Sequence, residues 1–259
     1  MNASVRLLLV ALALVGAVIF ASLIYRNTSQ PPSGPAGETA APEPVNEATL
    51  HPEFRAGLAA LDEERNEDAA RHFSAVPPEA PEYPTALQRL AVLQAKSGAV
   101  VEAQASMFRL LEMRPNDPEV HAVLGWLFYL AEDYDRAELA ALRTLELDSE
   151  HLSTRYNVAL YRVAQGRTQR AVSSYLRAMR EDPSGREIAV HRERLRDYHD
   201  DHPESLSAHY ALAFVANAMQ DRVTETEELE HYIELAPEGP ELEAARVKLR
   251  EAREAVSGS

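Results

Sequence analysis

Four histidines and two aspartates within residues 191–209 are the side chains of this sequence best suited to bind a metal ion. They are His191, His199, His202, His209, Asp200 and Asp201. A metal site needs three or four such ligands to converge on one point. The HDDH sequence at 199–202 is instead typical of a solvated helix end. We therefore predict no metal ligand and no cofactor, and a metal-dependent enzyme that uses this segment is kept as a remote alternative.

Cysteine and several common catalytic motifs are missing from the sequence. It contains no cysteine, which excludes disulfides, thiolate zinc sites, a cysteine nucleophile and lipid-modified cysteine anchors. It also contains no glycine-rich phosphate loop, HExxH or GxSxG motif. Carboxylates stand at helical spacing from arginines, as Glu132 does from Arg136, which is typical of solvated helix faces. We predict no catalytic residue and expect a protein that is not an enzyme.

The charge of the chain argues against a nucleic-acid partner. It has 41 acidic and 26 basic residues, a formal net charge of −15, and such a chain repels a phosphate backbone. Lys96 and Lys248 are its only lysines, so arginine supplies every other strong base. Together with the many alanines, this usage indicates a GC-rich, bacterial genome.

A recurrence of 34 residues organises the elements that would position any site. Alanines recur in phase at 69, 103, 137 and 171, prolines at 81, 115 and 183, and small residues at 57, 91, 125 and 159. A coiled coil or an irregular bundle does not explain this period. The pattern resembles the tetratricopeptide repeat (TPR), a helix-turn-helix pair of 34 residues. Small residues at the crossing would let the two helices of each pair approach closely.

The resemblance covers about residues 50–239 and implies an all-α fold, an α-solenoid (superhelix) of about five stacked pairs. The expected repeats are 50–83, 84–117, 118–151, 152–185 and 206–239. The last match is weaker, because Glu225 takes the place of the usual alanine. Residues 186–205 are predicted to form an inserted helix, and residues 241–256 a capping helix that shields the last pair from water.

In the TPR family, the first helix of each pair lines a concave groove that holds segments of partner proteins. The resemblance implies that the groove residues here are Gln88, Val92, Lys96, Ala122, Trp126, Tyr129, Tyr156, Asn157, Leu160, Tyr210, Phe214 and Asn217. Such a groove would be aromatic and apolar, and aromatic side chains are frequent interface anchors. Two alternatives stay open: the aromatic side chains belong to the core, or the inserted helix folds back and fills the groove.

The N-terminal sequence predicts a membrane anchor. Residues 7–25 carry no charge, and a helix of that length spans about 28 Å, close to the thickness of a hydrocarbon core. We predict a transmembrane anchor at 1–26 and a disordered Pro/Ala/Gly-rich linker at 27–49. A cleaved signal peptide is the alternative, but the apolar run is long for one and ends without an A-x-A site. The short head before the run favours repeats on the outer side of the membrane.

These observations together predict a membrane-tethered TPR scaffold that holds extended or helical segments of other proteins. We expect an assembly or maturation factor of the bacterial cell envelope, held in the inner membrane with its repeats facing the periplasm. Self-association is a further expectation for a repeat stack. The alternative is a soluble secreted or periplasmic TPR protein released by signal cleavage.

Overall fold

The structure is a computed structural model that describes residues 50–257. The predicted anchor at 1–26 and the linker at 27–49 lie outside these residues. The prediction of an all-α fold is confirmed for residues 50–257, which form twelve helices and no strand. Among these twelve helices, none combines the length and the apolar character needed to span a membrane.

The helices follow one another through short turns. Their bounds are α1 Pro52–Asp62, α2 Asn66–Ser74, α3 Tyr83–Lys96, α4 Val100–Met113, α5 Pro118–Leu130, α6 Tyr134–Leu147, α7 Leu152–Ala164, α8 Thr168–Arg180, α9 Arg186–Asp201, α10 Leu206–Ala218, α11 Arg222–Leu235 and α12 Pro240–Ser257. The chain divides after Ser106 into two compact units, and the boundary falls within α4. In the first unit α2 packs against α1 and α3, and in the second unit α5–α6, α7–α8 and α10–α11 pack as pairs.

The recurring small residues are the positions where helices touch. The four in-phase alanines, Ala69, Ala103, Ala137 and Ala171, are all 0% exposed. In the pair α5–α6, a Cβ atom added to Gly125 would lie 3.2 Å from the backbone oxygen of Ala137. A side chain there would separate the two helices, so the sequence keeps glycine where the backbones cross.

The turn within each helix pair contains one residue with a left-handed backbone. These residues are Glu64, Gly98, Glu132, Gly166 and Gln220, with φ between 58° and 84°. The first four are separated by 34 residues each, so the turn geometry repeats with the helices. Glycine adopts this conformation without strain, and the three other residues accept a cost of about 1–2 kcal/mol.

The fifth pair keeps the repeat geometry although Glu225 replaces the alanine. Glu225 is 4% exposed, and its carboxylate accepts hydrogen bonds from Asn217 Nδ2 and Arg222 Nη1, each at 2.6 Å. These bonds satisfy a charge that would otherwise be costly to bury. Helix α12 packs against α11 through a buried stripe of Leu242, Ala245, Leu249 and Ala252.

Helix α9 is the inserted helix, and it packs against α7 and α10. It begins after Gly185, whose φ is 63°. The carboxylate of Asp182 accepts a hydrogen bond from the backbone N–H of Ile188 at 3.0 Å, which satisfies a free donor of the first turn. The buried face of α9 is a stripe at helical spacing made by Ile188, His191, Leu195 and Tyr198.

Candidate functional site

The predicted groove residues of the first unit form one stripe on α3. Gln88, Val92 and Lys96 are spaced four residues apart, which places them on the same helix face, and all three are half-buried. Each of these side chains therefore keeps part of its surface open to solvent. Their role in partner binding stays a prediction.

In the second unit, α5 presents an aromatic pair. The rings of Trp126 and Tyr129 stack with their centroids 5.1 Å apart, and Tyr129 also stacks on Tyr161 of α7 at 5.4 Å. Both Trp126 and Tyr129 are half-buried, whereas Ala122, one turn before Trp126, is 5% exposed. This aromatic surface continues from α5 onto α7.

The predicted groove residues of α7 are buried. Tyr156, Asn157 and Leu160 are 0%, 4% and 1% exposed, so in this conformation they offer almost no surface to a partner. Tyr156 and Asn157 are buried because α9 lies over them. This arrangement matches the alternative in which the inserted helix folds back over the groove.

Two aromatic side chains of α9, His191 and Tyr198, lie against this surface. The ring of His191 stacks on Tyr156 with centroids 4.9 Å apart. The ring of Tyr198 lies 6.4 Å from that of Tyr129 and 6.3 Å from that of Tyr134. The surface across α5 and α7 is thus occupied by a helix of the same chain.

Arg194 is the central contact of α9. Its guanidinium carbon lies 5.4 Å from the centre of the Trp126 ring, a distance at which the cation is attracted by the ring face. Its Nη1 donates a hydrogen bond to Asn157 Oδ1 at 3.2 Å. Asn157 is one of the predicted groove residues, and here its acceptor oxygen is used by α9.

The environment under α9 has a low polarity, which shifts the pKa values of the ionisable side chains buried there. Burial, reinforced by the charge of Arg194, holds the pKa of His191 well below its usual range, so this ring is neutral near pH 7. Burial likewise lowers the pKa of Arg194 and raises that of Tyr129 well above its usual range. Electrostatic contacts are stronger in such surroundings than in water.

Polar contacts hold the start and the middle of α9. At its start, Tyr156 Oη donates a hydrogen bond to Asp182 Oδ2 at 3.3 Å. Burial opposes the charge of Asp182, but the hydrogen bonds that its carboxylate accepts lower its pKa. Farther along α9, Arg192 forms an ion pair with Asp221, the N-cap of α11.

The predicted groove residues of α10 lie near helix α12. Tyr210, Phe214 and Asn217 line a cavity of about 50 Å³ whose lining also includes Lys248 of α12. Tyr210 is 8% exposed and packs edge-on against Tyr232 with ring centroids 5.1 Å apart. A cavity of this size holds one or two waters rather than a peptide.

Of the six metal-binding side chains singled out in the sequence, the structure brings the ring nitrogens of His199 and His209 together at 3.2 Å. Glu228, which the sequence did not single out, joins them. His191 lies against Tyr156, and His202 stacks on Tyr198 with ring centroids 4.2 Å apart. The remaining two, Asp200 and Asp201, are exposed.

The sequence analysis missed the residues by which α9 packs against the other helices of the second unit. The available signal was the stripe at 188, 191, 195 and 198, whose spacing of three and four residues marks a helix with one buried face. Glu228 gave no such signal, because it is one of several glutamates in α11.

The comparison with family models agrees with the prediction of tetratricopeptide repeats. Two family models, each described as Tetratricopeptide repeat, match residues 60–127 and 156–187. No curated protein matches the chain. Solved structures similar to it include MamA of strain AMB-1, at 17% identity and a TM-score of 0.46, covering 81% of this chain and 100% of that one. MamA 41-end from Desulfovibrio magneticus RS-1 is 16% identical with a TM-score of 0.44, covering 71% of this chain and 92% of that one.

Proposed function

The chain is a tetratricopeptide-repeat protein, and we propose that it is a non-enzymatic scaffold whose second unit binds a helical segment of another protein. The observation that carries this proposal is the position of α9. It lies across α5 and α7, on residues that bind ligands in the TPR family, and makes contacts of the kind a bound helix would make. The partner would take the place of α9.

The chemistry of the covered surface defines the partner. Trp126 and Tyr129 offer aromatic faces, and Asn157 offers a buried acceptor. A matching helix needs a cation over Trp126 and an aromatic residue one turn farther, as Arg194 and Tyr198 provide in α9. In this proposal α9 leaves as a single helix, since its contacts with α5 and α7 are made by side chains, and the pairs α5–α6 and α7–α8 keep the contacts within each pair.

The test compares the capture of partner proteins by the full-length, membrane-extracted chain and by two variants. Arg194→Ala removes the central contact of α9 and should increase capture several-fold. Arg196→Ala is the matched control, because Arg196 lies on the same helix, is 40% exposed and pairs with Glu193 only in the contacts described. A surface ion pair of this kind contributes about 0–1 kcal/mol, so this variant should behave as the wild type.

Competition by a synthetic peptide identifies the surface that is used. A peptide with the α9 sequence, residues 186–201, should displace the captured proteins from the Arg194→Ala variant. The same peptide with alanine in place of Arg194 and Tyr198 should displace them less. Equal capture by all three proteins, or capture that the α9 peptide leaves unchanged, would show that α9 is a fixed part of the fold and that partners do not bind there.

We further propose that residues 1–26 tether the scaffold to the bacterial inner membrane, with its repeats in the periplasm and a role in assembly or maturation of the cell envelope. This proposal rests on the uncharged run at 7–25 and its match to the thickness of a bilayer. The chain should stay in the membrane fraction after alkaline washing, and a variant starting at residue 27 should not.

The intact mass of the mature protein separates this proposal from its alternative. A full-length mass supports a retained anchor, whereas loss of the first twenty-odd residues supports a soluble protein released by a signal peptidase. Protection of the repeats from protease added to spheroplasts would place them in the cytoplasm and contradict the proposed topology. Co-capture of differently tagged copies measures self-association in the same extracts.

A further inference from the structure

Three potential metal ligands from three different helices meet in the second unit. They are His199 near the end of α9, His209 in the first turn of α10, and Glu228 in α11. His199 Nε2 lies 3.2 Å from His209 Nδ1 and 3.6 Å from Glu228 Oε2, and His209 Nδ1 lies 2.7 Å from the same oxygen. The remaining four metal-binding residues of the 191–209 segment are not part of this cluster.

The outer nitrogen of each ring faces an oxygen acceptor. His209 Nε2 lies 2.9 Å from the carbonyl oxygen of Pro203, which can only accept, so this nitrogen carries a hydrogen. His199 Nδ1 lies 3.2 Å from Asp200 Oδ1, which fixes that ring in the same way. In the neutral rings, the two inner nitrogens then present lone pairs to one another and to a carboxylate.

Two lone pairs and a carboxylate at these distances repel one another unless positive charge lies between them. A proton between His209 Nδ1 and Glu228 Oε2, which lie 2.7 Å apart, can supply part of this charge. One proton on a line between two atoms leaves the third acceptor facing them unsatisfied. A metal ion satisfies all three donor atoms at once.

The separations fit a tetrahedral ion. With metal–ligand bonds of about 2.0–2.1 Å, neighbouring ligand atoms of tetrahedral zinc lie about 3.3 Å apart, and the three separations here are 2.7, 3.2 and 3.6 Å. Hydrogen bonds from the outer nitrogen of a ligating histidine to a carbonyl or carboxylate are the usual second shell of such sites. Both histidines have one.

We propose that His199 Nε2, His209 Nδ1 and Glu228 Oε2 bind one divalent transition-metal ion of the zinc class. Two imidazoles and a carboxylate suit Zn²⁺ better than Ca²⁺ or Mg²⁺, which prefer oxygen ligands alone. Three protein ligands leave the fourth tetrahedral position to water. The side chains of His209, Glu228 and His199 are 4%, 13% and 16% exposed, so the ion would be shielded from bulk solvent.

Bound metal would connect α9 to the pair α10–α11, because His199 is the only one of the three ligands on α9. The metal would therefore stabilise the packing of α9 against α10 and α11. This inference does not depend on partner binding. Since the metal binds deprotonated imidazole nitrogens, protons compete with it, and its affinity should fall in acid.

The test is a calorimetric titration of the untagged, full-length, chelator-treated protein with Zn²⁺. We expect about one ion per chain in the wild type, and an affinity at least about tenfold lower in Glu228→Gln and in His199→Gln. Both replacements keep the size of the side chain, so they preserve the fold better than a change at the buried His209. His202→Gln is the matched control, because His202 bonds the carbonyl oxygen of Tyr198 and stacks on its ring, outside the cluster.

Cobalt provides an independent readout of coordination. Co²⁺ bound at a tetrahedral site should give visible absorption bands in the wild type and the His202→Gln variant, and these bands should be lost in Glu228→Gln. Weak binding of several ions with the same affinity in all four proteins would mean an adventitious ion only and would overturn the proposal. Absence of Zn²⁺ binding by the folded wild type would overturn it as well, and would leave the cluster held by a proton.

Discussion

Replacing Arg194 by alanine should weaken the packing of α9 against α5 and α7 without unfolding the helix pairs to which these two helices belong. Arg194 is the residue of α9 that touches both α5, through Trp126, and α7, through Asn157. The change removes a cation from the face of an aromatic ring and leaves the Asn157 amide oxygen, in a residue that is 4% exposed, without this donor.

The expected cost follows from these two contacts. A desolvated cation over a tryptophan ring contributes up to about 2 kcal/mol, and a hydrogen bond from a charged donor contributes about 1.5–3 kcal/mol. The two overlap because one guanidinium makes both, so we expect a total of about 2–4 kcal/mol. Arg196→Ala should cost no more than about 0.5 kcal/mol, since its ion pair with Glu193 is exposed to solvent.

The assay uses Trp126, which is the only tryptophan of the chain. Its fluorescence reports contact with Arg194, whereas far-ultraviolet circular dichroism reports helix content overall. In urea, the Arg194→Ala variant should show a red-shifted Trp126 emission at concentrations where the helix signal is still native. The wild type and Arg196→Ala should keep the two transitions closer together.

A double-mutant cycle with Asn157→Ala then isolates the contact between the two side chains. A coupling free energy of about 1 kcal/mol or more is expected between Arg194 and Asn157. The reasoning would be refuted if Arg194→Ala left both the Trp126 emission and the urea midpoint unchanged, because α9 would then be held by contacts other than those of Arg194.

Three further predictions concern single positions. His191→Phe should reduce the loss of stability below pH 6.5. Burial and Arg194 lower the pKa of His191 in the folded protein, so below pH 6.5 acid charges this ring in the unfolded chain first and lowers the stability by up to about 1.4 kcal/mol per pH unit. Urea unfolding between pH 5 and 8 measures this loss. Gly57→Ala should destabilise the first unit by about 1–3 kcal/mol, because the added Cβ would lie 2.7 Å from Phe73 Cε1. Thermal unfolding measures this loss, and adding Phe73→Leu should restore part of it. Tyr156→Ala should cost about 3–5 kcal/mol in urea unfolding, because the ring is 0% exposed, and a smaller effect would mean that α9 leaves it accessible.

The helices and their repeat could be predicted because the pattern that encodes them is local. Ala69, Ala103, Ala137 and Ala171 are small since two helix backbones cross at each of them, and the 34-residue spacing follows from the length of one pair. Each repeat satisfies the same packing requirement with its own residues. The recurrence is therefore visible without any knowledge of how distant segments meet.

The covering of the predicted groove by α9 could not be predicted in the same way. Tyr156 and Asn157 stand at positions that line an open groove in related repeats, and nothing near them in the sequence shows that they are covered. They are covered because residues 186–201 form one helix more than the repeat requires. Where an unpaired helix packs depends on side chains from several elements, such as Trp126 and Tyr129 of α5.

The sequence by itself determined the α-helical repeat, the absence of cysteine chemistry and the acidic surface, because these depend on composition and on spacing along the chain. The tertiary structure alone decided that α9 lies across α5 and α7, and that His199 and His209 meet Glu228. Those residues come from different helices, and only the folded chain fixes the distances between them.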